Sequence, residues 1–240
     1  MKHYNLNYLE KSDLDGLMNN ENNYKKYIAK KITNDCQNPN NLLKNSIVVK
    51  ISKRKELVEN DFNNSKKLEE LKCINFAKYF GFFSRKNNGN LNMEYYNLGS
   101  ILNYIPKNLN EIISILNQVI ASATFAFEKS GFIHGNLHPG NILVKKTKKD
   151  FISYKFPDKE LEIKTNGIKI VINDFDKSNF SGNFAMFISE LSLFIDYYEM
   201  YLIEKSIFDK NTIIVTPFAQ LKREFHKITN ITQLQEFIGN

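Results

Sequence analysis

The chain has 240 residues, enough for one large domain or two small lobes, and its 42% hydrophobic content, with 19 Phe and 12 Tyr, supplies a substantial core without Trp. Two cysteines, Cys36 and Cys73, exclude a disulfide framework and a four-ligand zinc site, and make a reducing compartment the expectation. The net charge of +7 admits nucleic acid or an anionic surface as a partner, or simply a lysine-rich solvated surface; the lysines are dispersed, and only "KKTKK" (145–149) is dense.

The start, "MKHYNLNYLEKSDLD", carries no apolar run suited to a signal peptide, and no stretch reads as a membrane span of about 20 apolar residues. The expectation is a soluble intracellular protein. Short β-branched runs at "KKYIAKKI" (25–32) and "SIVVKIS" (46–52) predict strands, with a polar, turn-rich connection between them. From 55 to 72, Val58, Phe62, Leu68 and Leu71 fall near one helical stripe. "FAKYFGFFS" (76–84) and "LNMEYY" (91–96) predict two more strands around a turn at "KNNGN".

The character then changes. Residues 108–131 predict a long helix with Ile112, Ile115, Leu116, Val119, Ile120, Ala123 and Phe127 at helical spacing. Asn108 or Asn110 would cap its start and Gly131 its end. "NILVKK" and "IKIVINDF" predict strands on either side of a polar excursion, 147–167, and amphipathic stretches follow at 184–208 and 217–228. The expected fold class is α+β: a β-rich N-lobe, 1–96, and a helical C-lobe, 97–240, forming one two-lobed domain with a connector near 93–100. A cleft between lobes is a common ligand site.

Three separated features suit phosphotransfer chemistry, which needs a strand lysine for nucleotide phosphates, a carboxylate to hold it, and hard oxygen ligands for magnesium. Lys50 in "IVVKIS" fits the lysine, although an exposed strand lysine is the plainer reading. In "FIHGNLHPGNILV" (132–144), His134, Asn136 and Asn141 have the spacing of H-x-D-x-x-x-x-N, with Asn136 where a catalytic aspartate belongs. Asn141 offers an amide oxygen suited to magnesium, and Asp174 follows the β-branched run of "IVINDFD", where a second magnesium ligand belongs. A turn asparagine and a strand-terminal aspartate are the plain structural alternatives. His138 reads as a packed loop histidine rather than a metal ligand, since no His or Cys partner stands at ligand spacing.

These motifs resemble the protein-kinase superfamily and, more narrowly, the haspin serine/threonine kinases of histone tails, from about Asn20 to the last residue. Residues 111–156 resemble the haspin run of helix, H-R-D-L-H-x-G-N-[VI]-L and "KKT…Y" strand. "TNGIKIVINDFDKS" resembles the segment where haspins carry D-Y-T, and "TPFAQLKREFHKITNITQL" their closing helices. The resemblance implies ATP and Mg2+ as cofactors, with Lys50 on the nucleotide and Asn141 and Asp174 on the metal. It implies a hinge at 93–96, where Glu94, Tyr95 and Tyr96 meet the adenine, Glu94 through its carbonyl. It also aligns "NENNYKKYIAK" (20–30) with the glycine-rich phosphate loop, but Asn20, Asn22 and Lys25 fill the glycine positions and resist close approach of backbone to phosphate. Asp61 is the first choice, by spacing, to pair with Lys50; Glu59, Glu69 and Glu70 are alternatives, and all four also read as solvated helix acids.

An amide cannot accept a proton near neutral pH, although it still orients a hydroxyl. The expectation is therefore a haspin-like kinase homologue of weak or no activity; the alternative is a pseudokinase scaffold that binds nucleotide or a protein without transferring phosphate. A histone tail is the partner the resemblance implies, with nucleus and chromatin as the location, otherwise cytoplasm. Such a tail needs an acidic groove, for which Asp150, Asp158, Glu160, Glu162, Asp176 and Asp196 are candidates. Direct nucleic-acid binding is not expected, since no interleaving of basic and aromatic residues supports it.

Overall fold

Val49 and Lys50 are adjacent in the strand Ser46–Ser52, their side chains point to opposite faces, and both are buried. Such a strand belongs inside a sheet, and in the computed structural model it does; residues 24–30, 46–85, 88–205 and 215–239 are described. The chain divides into two compact units, Met1–Asn63 with Lys78–Tyr95, and Asn64–Ala77 with Tyr96–Asn240. The class is α+β, with a strand-rich N-terminal part and a helical C-terminal part.

The first unit holds a four-stranded antiparallel sheet of β1 (Tyr24–Lys30), β2 (Ser46–Ser52), β3 (Tyr79–Arg85) and β4 (Asn88–Glu94), in the order β1-β2-β4-β3. The register sets Lys50 opposite Leu91 and Val49 opposite Asn92. β3 begins later than the apolar run "FAKYFGFFS" suggests, because Phe76 instead forms a parallel bridge with Ile172 in the second unit. The turn residues 86–87 lie outside the described residues. Helix α1 (Lys55–Glu70) begins in this unit, where Val58 and Asp61 are fully buried and Phe62 stands 6.3 Å from Phe82, centroid to centroid. Its buried stripe continues as Ser65 and Leu68, whereas Phe62 and Leu71 are half-buried.

The second unit is organised on helix α2 (Leu109–Ser130). The Asn108 side chain accepts from the Glu111 N–H at 3.0 Å, and Gly131 closes the helix in the left-handed conformation with φ 66°. By length and composition α2 is apolar enough to cross a membrane, which corrects the expectation that no stretch is. Yet 78% of its apolar window is buried inside the protein, as in the core helix of a soluble domain. Strands β5 (Ile142–Lys146) and β8 (Ile168–Ile172) pair antiparallel.

Between them the polar excursion folds into a hairpin of β6 (Phe151–Lys155) and β7 (Glu160–Lys164). The hairpin anchors on α2 through buried Tyr154, whose hydroxyl meets Ser122 Oγ at 2.9 Å and accepts from Asn75 Nδ2 at 2.8 Å. Helices α3 (Phe184–Glu204), α4 (Val215–Phe225) and α5 (Ile231–Gly239) complete the unit. α3 packs on α2 through Phe187 and Phe127, stacked at 4.4 Å. Cys73 has its thiol pushed up to about 12 by burial and stays an unreactive thiol near neutral pH.

Candidate functional site

In the first unit the strand lysine has found its carboxylate. Lys50 Nζ lies 2.8 Å from Asp61 Oδ2, and the two side chains are 4% and 0% exposed. The pairing follows from two periodicities. Strand alternation turns Lys50 inward, and helical spacing places Asp61 on the buried stripe of Val58, Ser65 and Leu68. Glu59, Glu69 and Glu70 are exposed, and Glu69 pairs instead with Lys66 at 2.7 Å. Met93 is buried, while Glu94 and Tyr95 are half-buried; the Glu94 N–H donates to the Lys78 carbonyl at 3.2 Å. Asn20 and Asn22 lie outside the described residues, and Lys25 belongs to β1.

In the second unit the "HGNLHPGN" loop is held from several sides. His134 is buried, and its Nε2 meets the Asn173 carbonyl at 2.9 Å. The backbone N–H groups of His134 and Gly135 donate to the two carboxylate oxygens of Glu190 on α3, at 2.9 and 2.6 Å. Ser178 Oγ donates to the His134 carbonyl at 2.9 Å. Gly135 has φ 77°, and a Cβ there would collide with the Lys177 carbonyl, so the position where the kinase motif carries arginine accepts only glycine. The half-buried residue that follows is Asn136.

Asn141 is 6% exposed, and its Nδ2 donates to the Asn136 carbonyl at 3.0 Å. That bond fixes which end of the amide is which and leaves Oδ1 as the atom available to a hard cation. The Asn141 carbonyl in turn accepts from the Asn173 N–H at 2.9 Å, which ties the loop to the residue before Asp174. Asp174 is half-buried with φ 75°, a left-handed conformation that aspartate tolerates better than most residues. Phe175 behind it is fully buried, 6.0 Å from Phe76 and 5.8 Å from the His134 ring. Asn64 Nδ2 donates to the Phe175 and Ser178 carbonyls at 2.8 and 3.1 Å. Tyr96, also of this unit, is buried with Lys145 Nζ 5.3 Å from its ring centroid.

The donors at Asn141 and Asp174 are hard oxygens, as magnesium requires. Among the described residues no group of three or more His, Cys, Asp or Glu side chains gathers to hold a metal unaided. Magnesium commonly takes one or two protein oxygens and completes its shell with water and substrate phosphates, which fits this donor set better than a closed zinc or calcium cage. His138 is half-buried, with Nδ1 accepting from the Gly140 N–H at 3.1 Å, in keeping with a loop-forming role.

Glu190 anchors the loop and is not marked by any motif in the sequence. It stands on a helix far along the chain from the loop it fixes. One signal was present: an acid inside the apolar run "FAMFISELSLF".

Comparison with known proteins gives the family of the chain. The profile described as protein tyrosine and serine/threonine kinase matches residues 30–175, and the chain belongs to that family. Members generally use ATP and Mg2+ and act on protein substrates. A 66-residue stretch is 36% identical to Uncharacterized protein ZK177.2 of Caenorhabditis elegans, covering 28% of this chain and 22% of that protein. The match thus spans well under two thirds of the relative.

Proposed function

We propose that the chain is a haspin-like protein-kinase homologue that binds ATP with Mg2+ and transfers phosphate to serine or threonine slowly or not at all. One observation carries the reading: a kinase-type loop with its internal bonds intact, from Glu190 through Asn141, around an asparagine in place of the base. In this reading Lys50, aligned by Asp61, holds the nucleotide phosphates, and the Glu94–Tyr96 segment meets the adenine. Asn141 Oδ1 and the Asp174 carboxylate take the magnesium. When bound, the metal neutralises phosphate charge, and Asn136 orients the substrate hydroxyl without accepting its proton.

A second reading is a pseudokinase scaffold that holds nucleotide or a protein partner without transfer. Asn20, Asn22 and Lys25 at the glycine positions of the phosphate loop favour it. A histone tail as substrate, and the nucleus as location, follow only if the haspin role holds.

Thermal unfolding with ATP and Mg2+, set beside ATP alone, tests the binding step common to the first reading. At ATP about a hundredfold above Kd, binding stabilises by about 2.7 kcal/mol, which raises Tm by about 5–10 °C for a chain of this size. The expected result is a shift that grows when Mg2+ is added. No shift under either condition refutes the nucleotide site and leaves a protein scaffold.

A further inference from the structure

Helix α3 is apolar on two faces. One face, with Phe187, Leu191, Phe194, Tyr198 and Leu202, is buried. The other carries Met186, Leu193, Tyr197 and Met200, which are 49, 51, 48 and 65% exposed. A contiguous exposed apolar patch of this kind marks an interaction surface. This second stripe forms one wall of a groove of about 720 Å3 whose opposite wall is the loop from Gly135 to Gly140 together with Leu102. Asn136 lines the groove.

Charge narrows the occupant. The chain carries +7 overall. Yet among the described residues the charged groups lining the groove are two acids, Glu190 and Glu204, and no lysine or arginine. Glu190 is already bonded to two backbone N–H groups beside Asn136, and Glu204 is exposed at the far end of the stripe. At about 1.5 Å per helical residue these acids stand roughly 21 Å apart, the length of about six residues of extended peptide. None of the acids expected from sequence to form a substrate groove (Asp150, Asp158, Glu160, Glu162, Asp176, Asp196) lines it. Asp196 is held by Lys222 at 2.6 Å.

We infer that this groove binds an extended segment of a partner protein with alternate apolar side chains seated on Leu193, Tyr197 and Met200, a basic residue at Glu204, and a hydroxyl residue passing Asn136. The inference rests on the kinase reading for the direction in which the hydroxyl is presented, and it names the substrate class of that site. It selects an apolar segment with a terminal cation rather than a uniformly basic one.

The test uses the full chain and three fluorescein-labelled ten-residue peptides with a central serine in a glycine frame. One carries alternate Leu with Arg at both ends, one has Glu for Arg, and one has Ser for Leu. By fluorescence anisotropy the Leu/Arg peptide binds at least tenfold tighter than the other two. Leu193→Glu and Met200→Glu each remove that advantage, and Glu204→Lys shifts the preference toward the Glu peptide. The tested side chains are exposed, so the variants keep the wild-type Tm.

Equal binding of the three peptides, or no loss in the variants, overturns the inference. So does a dimer in sedimentation velocity that Leu193→Glu dissociates, which would assign the face to a second copy. Tighter binding of a synthetic peptide of residues 1–23 would assign it to the chain's own start. Selective peptide binding without an ATP shift defeats the nucleotide reading and leaves this inference standing; an ATP shift with unselective peptides does the reverse.

Discussion

Asn136→Asp raises the rate of phosphotransfer by about 10²–10⁴-fold, the usual contribution of a positioned general base. The substitution is isosteric, so the loop has nothing to rebuild. The Asn136 carbonyl still accepts from Asn141, and the two preceding N–H groups still bind Glu190. The new carboxylate accepts the proton that the amide cannot. Because the transition state of phosphoryl transfer is loose, positioning and electrostatics carry most of the catalysis, and in the proposed reading Lys50, Asn141 and Asp174 supply them. The gain therefore appears in kcat, with KM for ATP little changed. Single-turnover transfer from labelled ATP to a serine or threonine peptide measures it. A variant no faster than the native protein means that the defect lies beyond the base, with Asn20 and Asn22, at the expected glycine positions, the first place to look.

Asp61→Ala destabilises the protein by about 3–5 kcal/mol, because it removes the carboxylate that pairs with a buried ammonium. Lys50 and Asp61 are 4% and 0% exposed, so water does not replace the lost carboxylate without opening the first unit. Replacing both partners at once, as Lys50→Met with Asp61→Leu, removes both desolvation costs and brings the loss close to zero. That outcome would mean that the pair adds no net stability, as the proposed role of the lysine at the phosphates requires. Urea unfolding of the single and double variants checks this. A single-variant loss under about 1 kcal/mol, against the value above, would show that the pair is hydrated.

Much of this architecture was legible because it rests on local physics. The caps of α2 follow from an asparagine that accepts a backbone N–H and a glycine free to turn left-handed. The pairing of Lys50 with Asp61 follows from strand and helix periods, which separate an inward acid from the outward Glu59, Glu69 and Glu70. The β6–β7 hairpin reads as a polar excursion because Lys155, Glu160, Glu162 and Lys164 stand on its outer face. Yet "FISYK" and "ELEIK" alternate, and Ile152, Tyr154, Leu161 and Ile163 are all buried. The grip of Glu190 on the loop was invisible for a different reason: it is a contact across 55 or 56 residues that only the packed helices create. The late start of β3 belongs to the same class, since the bridge from Phe76 to Ile172 competes with the strand for the same residues.

The proposed reading gives Lys50 the phosphates of ATP and Asp174 the magnesium. Calorimetric titration of ATP, with Mg2+ and with EDTA, into the native chain, Lys50→Met and Asp174→Asn tests it most directly. The native chain binds one ATP and binds it at least tenfold tighter with Mg2+. Lys50→Met weakens binding in both conditions, and Asp174→Asn keeps the metal-free affinity while losing the gain from Mg2+. A native chain that gives no heat with ATP, or an Asp174→Asn chain that retains the full Mg2+ gain, contradicts the account.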